Sequence, residues 1–384
     1  MLALTAKALL TPVKRIEQPL LLIEGASVVE IRSQREAEVP ANSRKLDFKD
    51  CVLAPGLIDI HIHGSAGHDV MQSDEQGRRR MEEFLAARGV TSYFPSTVAA
   101  PLDATLRSLE WLADGIEAAG STGRAQPLGI HLEGPYLSHI RRGVHLPENL
   151  LKPTVETFDK FWQAARGHVR MLTIAPELDR ARELIAEANK RGVCVSIGHS
   201  DADLSAARAG ILAGARHATH TFNAMRPLDH RAPGILGEVL SNSNLSADII
   251  ADGVHVHPSV VRIFLEAKGE ERAVLITDAI SAAGMPEGQY QLGGMDVEVK
   301  DGRVTRNGSL AGSVLTLDRA VRNVMEFGGW SLQKALRLAT KNPAAVVGAE
   351  RKGILEAGAD ADLVALRENG EVRATLVRGE VVRG

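Results

Sequence analysis

The chain has 384 residues, of which 44% are hydrophobic and 24% charged, and its formal net charge is −3. This composition is typical of a globular protein with a sizeable core, and the charge offers no basic surface for nucleic acid or anionic membrane lipids. No stretch approaches the roughly 20 apolar residues of a membrane span, the N-terminus lacks a signal-peptide pattern, and the two cysteines predict buried thiols, so we expect a cytoplasmic protein.

Short apolar runs alternate with longer amphipathic stretches between residues 54 and 346. The apolar runs predict strands at 57–63, 90–96, 127–133, 170–175, 193–199, 216–221, 246–251 and 273–278. The amphipathic stretches predict helices at 75–88, 103–119, 154–166, 179–191, 202–213, 234–241, 258–268, 316–327 and 331–341. Eight strands alternating with helices predict an α/β fold, a (β/α)8 TIM-like barrel with its active site at the carboxyl ends of the strands.

The two ends of the chain have a different pattern. Residues 1–53 and 347–384 contain short β-like runs with turn signals, and neither segment has enough apolar residues for a core of its own. We therefore expect them to pair as one small β-sandwich domain beside the barrel of residues 54–346. An insert with the pattern of a hairpin, residues 290–304, follows the eighth predicted strand.

Potential metal ligands recur where the predicted strands end. Side chains alternate along a strand, so His61 and His63 point to the same face of the first strand. Glu133, His199 and His220 end the third, fifth and sixth strands. Imidazole and carboxylate ligands with an open position are typical of zinc or iron in a hydrolase. The sequence therefore predicts one divalent ion on this three-ligand set and allows a second ion on the histidine pair.

Asp278 ends the eighth predicted strand, close to the predicted ligands. A bound metal lowers the pKa of its water, so that the water can act as a nucleophile near neutral pH. A carboxylate that accepts and returns a proton would complete such a hydrolytic site. The alternative interpretation of Asp278 is the N-cap of a following helix.

Two further histidines lie in loops at the predicted active-site end of the barrel. His145 belongs to the glycine- and proline-rich loop 134–147, and His255 follows the seventh strand. Each has an alternative interpretation as a loop residue without a role. Three other histidines, assigned to the core, to the far face of a strand or to a loop, are not expected to act: His131, His217 and His230.

A potential anion site follows the sixth predicted strand. Asn223, Ala224 and Arg231 combine an amide, a free backbone N–H and a guanidinium. This combination suits an anionic oxygen group such as phosphate.

Five motifs resemble those of a known family. They are His131-Leu132-Glu133-Gly134-Pro135, Gly198-His199-Ser200, Thr219-His220-Thr221-Phe222-Asn223-Ala224-Met225, Ala251-Asp252-Gly253-Val254-His255 and Leu310-Ala311-Gly312-Ser313. Through them the chain resembles, over nearly its whole length, the N-acetylglucosamine-6-phosphate deacetylase family of the amidohydrolase superfamily. The resemblance implies a homodimeric enzyme of amino-sugar catabolism and cell-wall sugar recycling. Such an enzyme deacetylates N-acetyl-D-glucosamine 6-phosphate with one or two divalent ions, zinc or iron, per subunit.

The resemblance also implies roles for the residues that bind the metal or act in catalysis. Glu133, His199 and His220 would bind the principal metal. Asp278 would be the general base and then the acid, and His145 would polarise the acetyl carbonyl.

The resemblance places the sugar and its phosphate on a further set of residues. His255 would hold a sugar hydroxyl, while Asn223, the backbone of Ala224 and Arg231 would bind the 6-phosphate. Arg231 would come from the other subunit of the dimer.

The chain departs from the family pattern beside these residues. Some members lack the first histidine pair, so the presence of His61 and His63 leaves one or two metal ions open. Ala232 stands where the family often has Glu, and Thr221 where it usually has Leu.

Other functions remain as alternatives. One is a different amidohydrolase, such as an N-acetylgalactosamine-6-phosphate deacetylase or a cyclic amidase. Cyclic amidases commonly bridge two metals with a carboxylated lysine on the fourth strand, and residues 170–175 contain no lysine. A non-catalytic scaffold is the other, but it should have lost ligands that this chain retains.

Overall fold

The computed structural model describes residues 1–120 and 123–382. Residues 121–122 of the predicted barrel and residues 383–384 of the predicted C-terminal segment lie outside this part. The first strands are β1 (Leu2–Leu10), β2 (Arg15–Glu17), β3 (Pro19–Glu24), β4 (Ser27–Ser33) and β5 (Arg44–Pro55).

The central part of the chain contains strands and helices in alternation. Its strands are β6 (Leu57–Ile62), β7 (Gly64–Ser65), β8 (His68–Asp69), β9 (Val90–Thr97), β10 (Gln126–Pro127), β11 (Ile130–Glu133), β12 (Val169–Ile174), β13 (Cys194–Ile197), β14 (His217–Ala218), β15 (Ala247–Ile250), β16 (Ala273–Ile276), β17 (Gly288–Leu292), β18 (Met295–Lys300), β19 (Arg303–Arg306) and β20 (Ser309–Leu310). Its helices are α1 (Glu75–Ala87), α2 (Leu102–Glu117), α3 (Val155–Ala164), α4 (Ala181–Lys190), α5 (Leu204–Leu212), α6 (Gly234–Ser241), α7 (Pro258–Arg272), α8 (Leu317–Gly328), α9 (Leu332–Arg337) and α10 (Lys341–Val347). A short 3₁₀ helix spans Pro147–Asn149, and the chain continues with β21 (Leu363–Leu366), β22 (Val372–Val377) and β23 (Glu380–Val382).

Eight parallel strands form the TIM-like barrel. Six of them pair in the order β6-β9-β11-β12-β13-β14, and β15 pairs with β16. Backbone hydrogen bonds join the two groups on both sides: Ala218 N–H donates to Ser246 O (3.0 Å), and Asp278 N–H donates to His61 O (2.9 Å). The carboxyl ends of all eight strands therefore surround one opening, as the alternation of elements predicts.

The barrel helices bury one apolar stripe each. In α4 this stripe consists of Ala181, Leu184, Ile185 and Ala188, which are all fully buried. The predicted helix 331–341 ends earlier, as α9 at Arg337, and a separate helix, α10, begins at Lys341 after Thr340, which has a non-helical backbone conformation. Within the described ranges, no helix is long and apolar enough to cross a membrane.

The two chain ends meet in one mixed sheet of eight strands. Its order is β23-β22-β21-β5-β1-β3-β4, with β2 also paired to β1. Leu4, Leu21, Leu53 and Leu363 form part of a hydrophobic cluster on this sheet. The predicted pairing of the two ends is therefore observed. Its layering as a sandwich and the domain boundaries at 53/54 and 346/347 stay predictions.

The insert after the eighth barrel strand is larger than the predicted hairpin. It is a four-stranded antiparallel sheet, β17-β18-β19-β20, from Gly288 to Leu310. Its apolar residues pack on Val98, just beyond β9, so the insert stands beside the opening of the barrel.

Candidate metal centre and substrate pocket

The predicted metal ligands meet at the carboxyl end of the barrel, but three key side chains lie beyond the strands rather than in them. His199, His220 and Asp278 each follow the last residue of their strand by two positions. Their φ angles are 46°, 29° and 50°, in the left-handed region that ends strand pairing and is uncommon for residues other than glycine. Such backbone strain is frequent at functional sites.

Glu133, His199 and His220 form the predicted three-ligand set. Nε2 of His199 lies 3.1 Å and Nε2 of His220 lies 3.0 Å from Oε1 of Glu133. The two Nε2 atoms are 3.0 Å apart. All three side chains are at most 5% exposed, so the donor atoms are shielded from bulk water.

The histidine pair and Asp278 lie directly beside this set. Nε2 of His63 is 3.1 Å from Oδ1 of Asp278 and 3.2 Å from Oε2 of Glu133. Nε2 of His61 is 3.5 Å from both carboxylates. Glu133 thus contacts both groups of histidines, in the position of a bridging ligand.

Backbone carbonyls fix two of the imidazole tautomers. Nδ1 of His199 donates to the carbonyl of Arg141 (2.9 Å), and Nδ1 of His63 donates to the carbonyl of Ser96 (2.9 Å). Each Nε2 therefore carries a lone pair and points at the other potential ligand atoms of the candidate metal site. Nitrogen lone pairs and carboxylate oxygens converge here at hydrogen-bond distances. This donor set is suited to binding a metal ion.

The two imidazoles of the three-ligand set have opposite pKa shifts. Burial lowers the pKa of His199 to about 4 despite its hydrogen bond to Glu133. Burial also disfavours the charged form of His220, but the hydrogen bond to Glu133 and the carboxylates of Asp278 and Asp248 outweigh it and raise its pKa to about 9. At neutral pH without a metal, His220 is therefore protonated and His199 neutral, and a bound cation would replace the proton on Nε2 of His220.

The two carboxyl groups are held ionised. Burial alone would raise the pKa of Glu133, but His61 and the hydrogen bonds from His145 and the other histidines hold it well below the usual value. Burial likewise opposes ionisation of Asp278, and His61 and His63 outweigh it, so the pKa of Asp278 is also lowered. Asp278 is therefore available as a proton acceptor at neutral pH.

His145 faces the same centre with a hydrogen-bond donor. Its Nδ1 accepts the N–H of Ala99 (3.1 Å), so in the neutral ring the proton is on Nε2. That Nε2 lies 3.6 Å from Oε2 of Glu133. By position alone His145 could be a ligand, but a protonated Nε2 has no lone pair for a metal.

A cavity of about 380 Å³ opens over the centre and contains most of the predicted substrate residues. Asn223, Ala224 and His255 line it, together with His145. Asp252 accepts a hydrogen bond from Nδ1 of His255 (2.7 Å), which leaves Nε2 of His255 as an acceptor for a hydroxyl group.

Arg231 is the predicted residue that the structure does not bring to the pocket. It is exposed in the loop before α6 and is not part of the cavity wall. Arg141 lines the cavity instead, with Nε donating to Asp201 (2.8 Å). The histidines expected to be inactive lie away from the cavity wall: His131 and His217 are buried beneath the centre, and His230 is exposed.

Three supporting residues were missed by reasoning from the sequence. Asp248 in β15 accepts a hydrogen bond from the backbone N–H of His220 and lies 2.8 Å from Nε2 of His217. Asp59 in β6 accepts the hydroxyl of Thr277 (2.6 Å). A charged residue inside an apolar strand was the available signal for both. Nothing in the sequence indicated that Asp252 orients His255.

The comparisons with known proteins agree with this geometry. The model of the amidohydrolase family matches residues 52–382. The N-acetylglucosamine-6-phosphate deacetylase of Bacillus subtilis is 37% identical over 355 residues, covering 90% of this chain and 86% of the relative. The N-acetylgalactosamine-6-phosphate deacetylase of Escherichia coli O157:H7 is 37% identical over 332 residues, covering 86% of this chain and 87% of the relative.

A solved structure is similar over the whole chain. It is that of an N-acetyl-D-glucosamine-6-phosphate deacetylase mutant from Mycobacterium smegmatis in complex with N-acetyl-D-glucosamine-6-phosphate. Its TM-score is 0.93 at 35% sequence identity, and the match covers 100% of this chain and 99% of that one. The chain therefore belongs to the amidohydrolase family and, within it, to the N-acetylglucosamine-6-phosphate deacetylases.

Proposed function

We propose that this chain hydrolyses the N-acetyl amide of N-acetyl-D-glucosamine 6-phosphate to glucosamine 6-phosphate and acetate. The observation that carries the proposal is the buried centre of Glu133, His199 and His220, with donor atoms 3.0–3.1 Å apart. It lies at the base of a cavity that Asp278 and His145 also line. The relatives at 37% identity support the substrate class.

Glu133, His199 and His220 would hold the principal metal ion, zinc or iron, and His61 and His63 would hold a second ion if one binds. A divalent ion in such a site lowers the pKa of water and polarises the bond under attack. The buried imidazole and carboxylate donors support this assignment.

A side chain of the protein transfers the proton from the attacking water to the leaving amine. The carboxylate of Asp278 accepts a proton from the attacking water, whose oxygen forms the new bond to the acetyl carbon. Nε2–H of His145 donates a hydrogen bond to the carbonyl oxygen as negative charge develops there. Asp278 then returns the proton to the amide nitrogen as the C–N bond breaks, which leaves a free amine and acetate.

Asn223, Ala224 and His255 would bind the sugar and its phosphate. Nε2 of His255, left as an acceptor by Asp252, suits a sugar hydroxyl, and Asn223 with the backbone N–H of Ala224 suits phosphate oxygens. Arg231 would complete the phosphate site from the partner subunit of a homodimer. Its exposure outside its own pocket supports a position in trans.

Hydrolysis of N-acetyl-D-galactosamine 6-phosphate is the second candidate, because one relative at 37% identity carries that activity in its name. The two sugars differ only in configuration at C4. A panel of both sugars, each with and without the 6-phosphate, at a fixed zinc or iron load, tests the proposal through acetate release. Preference for the glucosamine phosphate supports it, and no release from any member of the panel would contradict it.

A further inference from the structure

The wall of the cavity has an apolar part that binding of the sugar and phosphate leaves unused. Val98, Val144 and Leu292 line the cavity and belong to one hydrophobic cluster beneath the insert β17–β20. Val98 and Leu292 are each only 3% exposed, so neighbouring residues cover most of their surface. Their side chains form an apolar surface on the cavity wall, and each is packed against other members of that cluster.

This apolar surface lies across the barrel from the polar residues. Val98 follows β9, the second barrel strand, and Val144 lies in the loop after the third. Asn223 and Ala224 follow β14, the sixth strand. In a closed barrel of eight strands the second and sixth are opposite, so the two kinds of wall face each other across the metal centre.

Leu292 reaches the opening because the turn of the insert is fixed there. The N–H of Gly293 donates to Oδ2 of Asp69 (2.7 Å), and Gly293 has a φ of 54°. A β-carbon at position 293 would lie 2.1 Å from Cγ2 of Val98. The turn therefore packs on Val98 so closely that only glycine fits, which leaves the apolar surface little freedom to recede.

The shape of a secondary amide matches this division. The amide group is planar and trans, so its acyl chain and its nitrogen substituent extend in opposite directions. His145, which marks the position of the carbonyl oxygen, accepts the N–H of Ala99, the neighbour of Val98. With the sugar and phosphate on the polar side, the acyl chain points at the apolar side.

Resting on the proposed function, we infer that Val98, Val144 and Leu292 form the acyl subsite and restrict the enzyme to short acyl groups. The acetyl methyl would contact this apolar surface. Longer chains must displace Leu292 or Val98, and the hydrogen bond from Gly293 to Asp69 opposes that displacement.

The test compares N-acetyl-, N-propionyl- and N-butyryl-D-glucosamine 6-phosphate as substrates of the metal-loaded full chain. For the wild type we expect kcat/KM to fall by about 10-fold or more with each added methylene. Leu292→Ala and Val98→Ala should each raise the butyryl-to-acetyl ratio of kcat/KM by about 10-fold or more. Val297→Ala is the matched control, since Val297 is a buried member of the same cluster that does not line the cavity, and its ratio should equal that of the wild type.

Three outcomes would overturn the inference. Equal turnover of acetyl and butyryl substrates by the wild type would show that there is no size limit. The apolar surface would not set the size limit if the butyryl-to-acetyl ratio of kcat/KM stayed within twofold of the wild-type value in both Leu292→Ala and Val98→Ala. The same would follow if this ratio rose equally in Val297→Ala. In these cases acetyl turnover remains and the proposed function stands, whereas absence of acetyl turnover in the wild type contradicts both.

Discussion

Nε2 of His199 and Nε2 of His220 lie 3.0 Å apart in the interior of the barrel. Two imidazole nitrogens at that distance repel each other unless a proton or a cation lies between them. Burial lowers the pKa of His199 to about 4, while the neighbouring carboxylates raise that of His220 to about 9, so without metal only His220 of the two is protonated at neutral pH. The arrangement of ligands is thus preformed for a cation.

His199→Ala should abolish metal binding and activity while the fold remains intact. Removing one imidazole leaves an incomplete coordination sphere, so we expect kcat/KM to fall by about 10³-fold or more. Metal content, circular dichroism and acetate release measure the three properties. His230→Ala is the control, because His230 is exposed and should retain full activity. A folded His199→Ala protein with near-native turnover would contradict the assignment of the centre.

Asp278→Asn should lower kcat by about 10²-fold or more and change KM little. The amide keeps the shape of the side chain but cannot accept the proton from water. Steady-state kinetics at fixed metal content separate the two constants. If the loss appeared in KM alone, Asp278 would be a binding residue rather than the base.

His63→Ala should retain more activity than His199→Ala. His61 and His63 would hold only the second ion, whereas Glu133, His199 and His220 would hold the first. Metal analysis should show that His63→Ala keeps one tightly bound ion. Two tight ions in the wild type together with an inactive His63→Ala protein would instead show that both ions are required.

Arg231→Ala should lower kcat/KM for the 6-phosphate by about 10²-fold or more and leave the unphosphorylated sugar nearly unchanged. A charge-assisted, bidentate contact to phosphate is lost in this variant. Arg141→Ala is the comparison, because Arg141 lines the cavity of its own chain. If Arg141→Ala caused the phosphate-specific loss and Arg231→Ala did not, the phosphate site would lie within one subunit.

Mixed dimers test whether Arg231 acts across an interface. Arg231→Ala chains combined with Asp278→Asn chains regain one intact site only if Arg231 serves the neighbouring subunit. Unrestored activity after confirmed subunit exchange would place Arg231 at its own barrel.

Lys268 makes stability depend on pH in the alkaline range. Its ammonium donates to the carbonyls of Val239 (2.9 Å) and Asn242 (2.8 Å) at the end of α6, and burial with the nearby Arg272 lowers its pKa from 10.5 to about 8. The unfolded chain keeps this proton to higher pH than the folded chain, so unfolding takes up a proton between these two values. The free energy of unfolding should therefore increase as pH rises from about 8 to 10.5. This contribution is lost as pH falls back to 8.

Lys268→Met should lack that rise and lose about 1–3 kcal/mol of unfolding free energy, because two buried carbonyls lose their donor. Urea unfolding on both sides of the window measures the effect. Lys300→Met, at an exposed position, should keep the pH dependence of the wild type. An identical pH profile for Lys268→Met and the wild type would contradict the assignment.

The sequence predicts the barrel and the ligand set because both depend on local patterns. Alternation along β6 places His61 and His63 on one face, and the carboxyl end of β11 presents Glu133. The strands before His199 and His220 were predicted too long, because the chain turns at these two residues with positive φ angles that the sequence pattern does not reveal.

The supporting contacts could not be predicted, because they join distant parts of the chain. Asp248 reaches His220 from the next strand, and the carbonyl of Arg141 fixes the tautomer of His199 from a loop. The proposed action of Arg231 on the partner subunit concerns an assembly of two chains, which cannot be seen in one chain.

Closure of the barrel also sets an order of events during folding. Asp59 and Thr277, which join β6 to β16, are 218 residues apart in the chain, so this seam carries a large loop-closure entropy. Glu133 ends β11, and His199 and His220 follow β13 and β14, so all three lie on one contiguous run of paired strands. Their ligand set can assemble on a half-formed barrel, before Asp278 arrives. The candidate metal site is therefore built from residues at most 87 positions apart, whereas the complete site with Asp278 needs a seam that joins residues 218 positions apart.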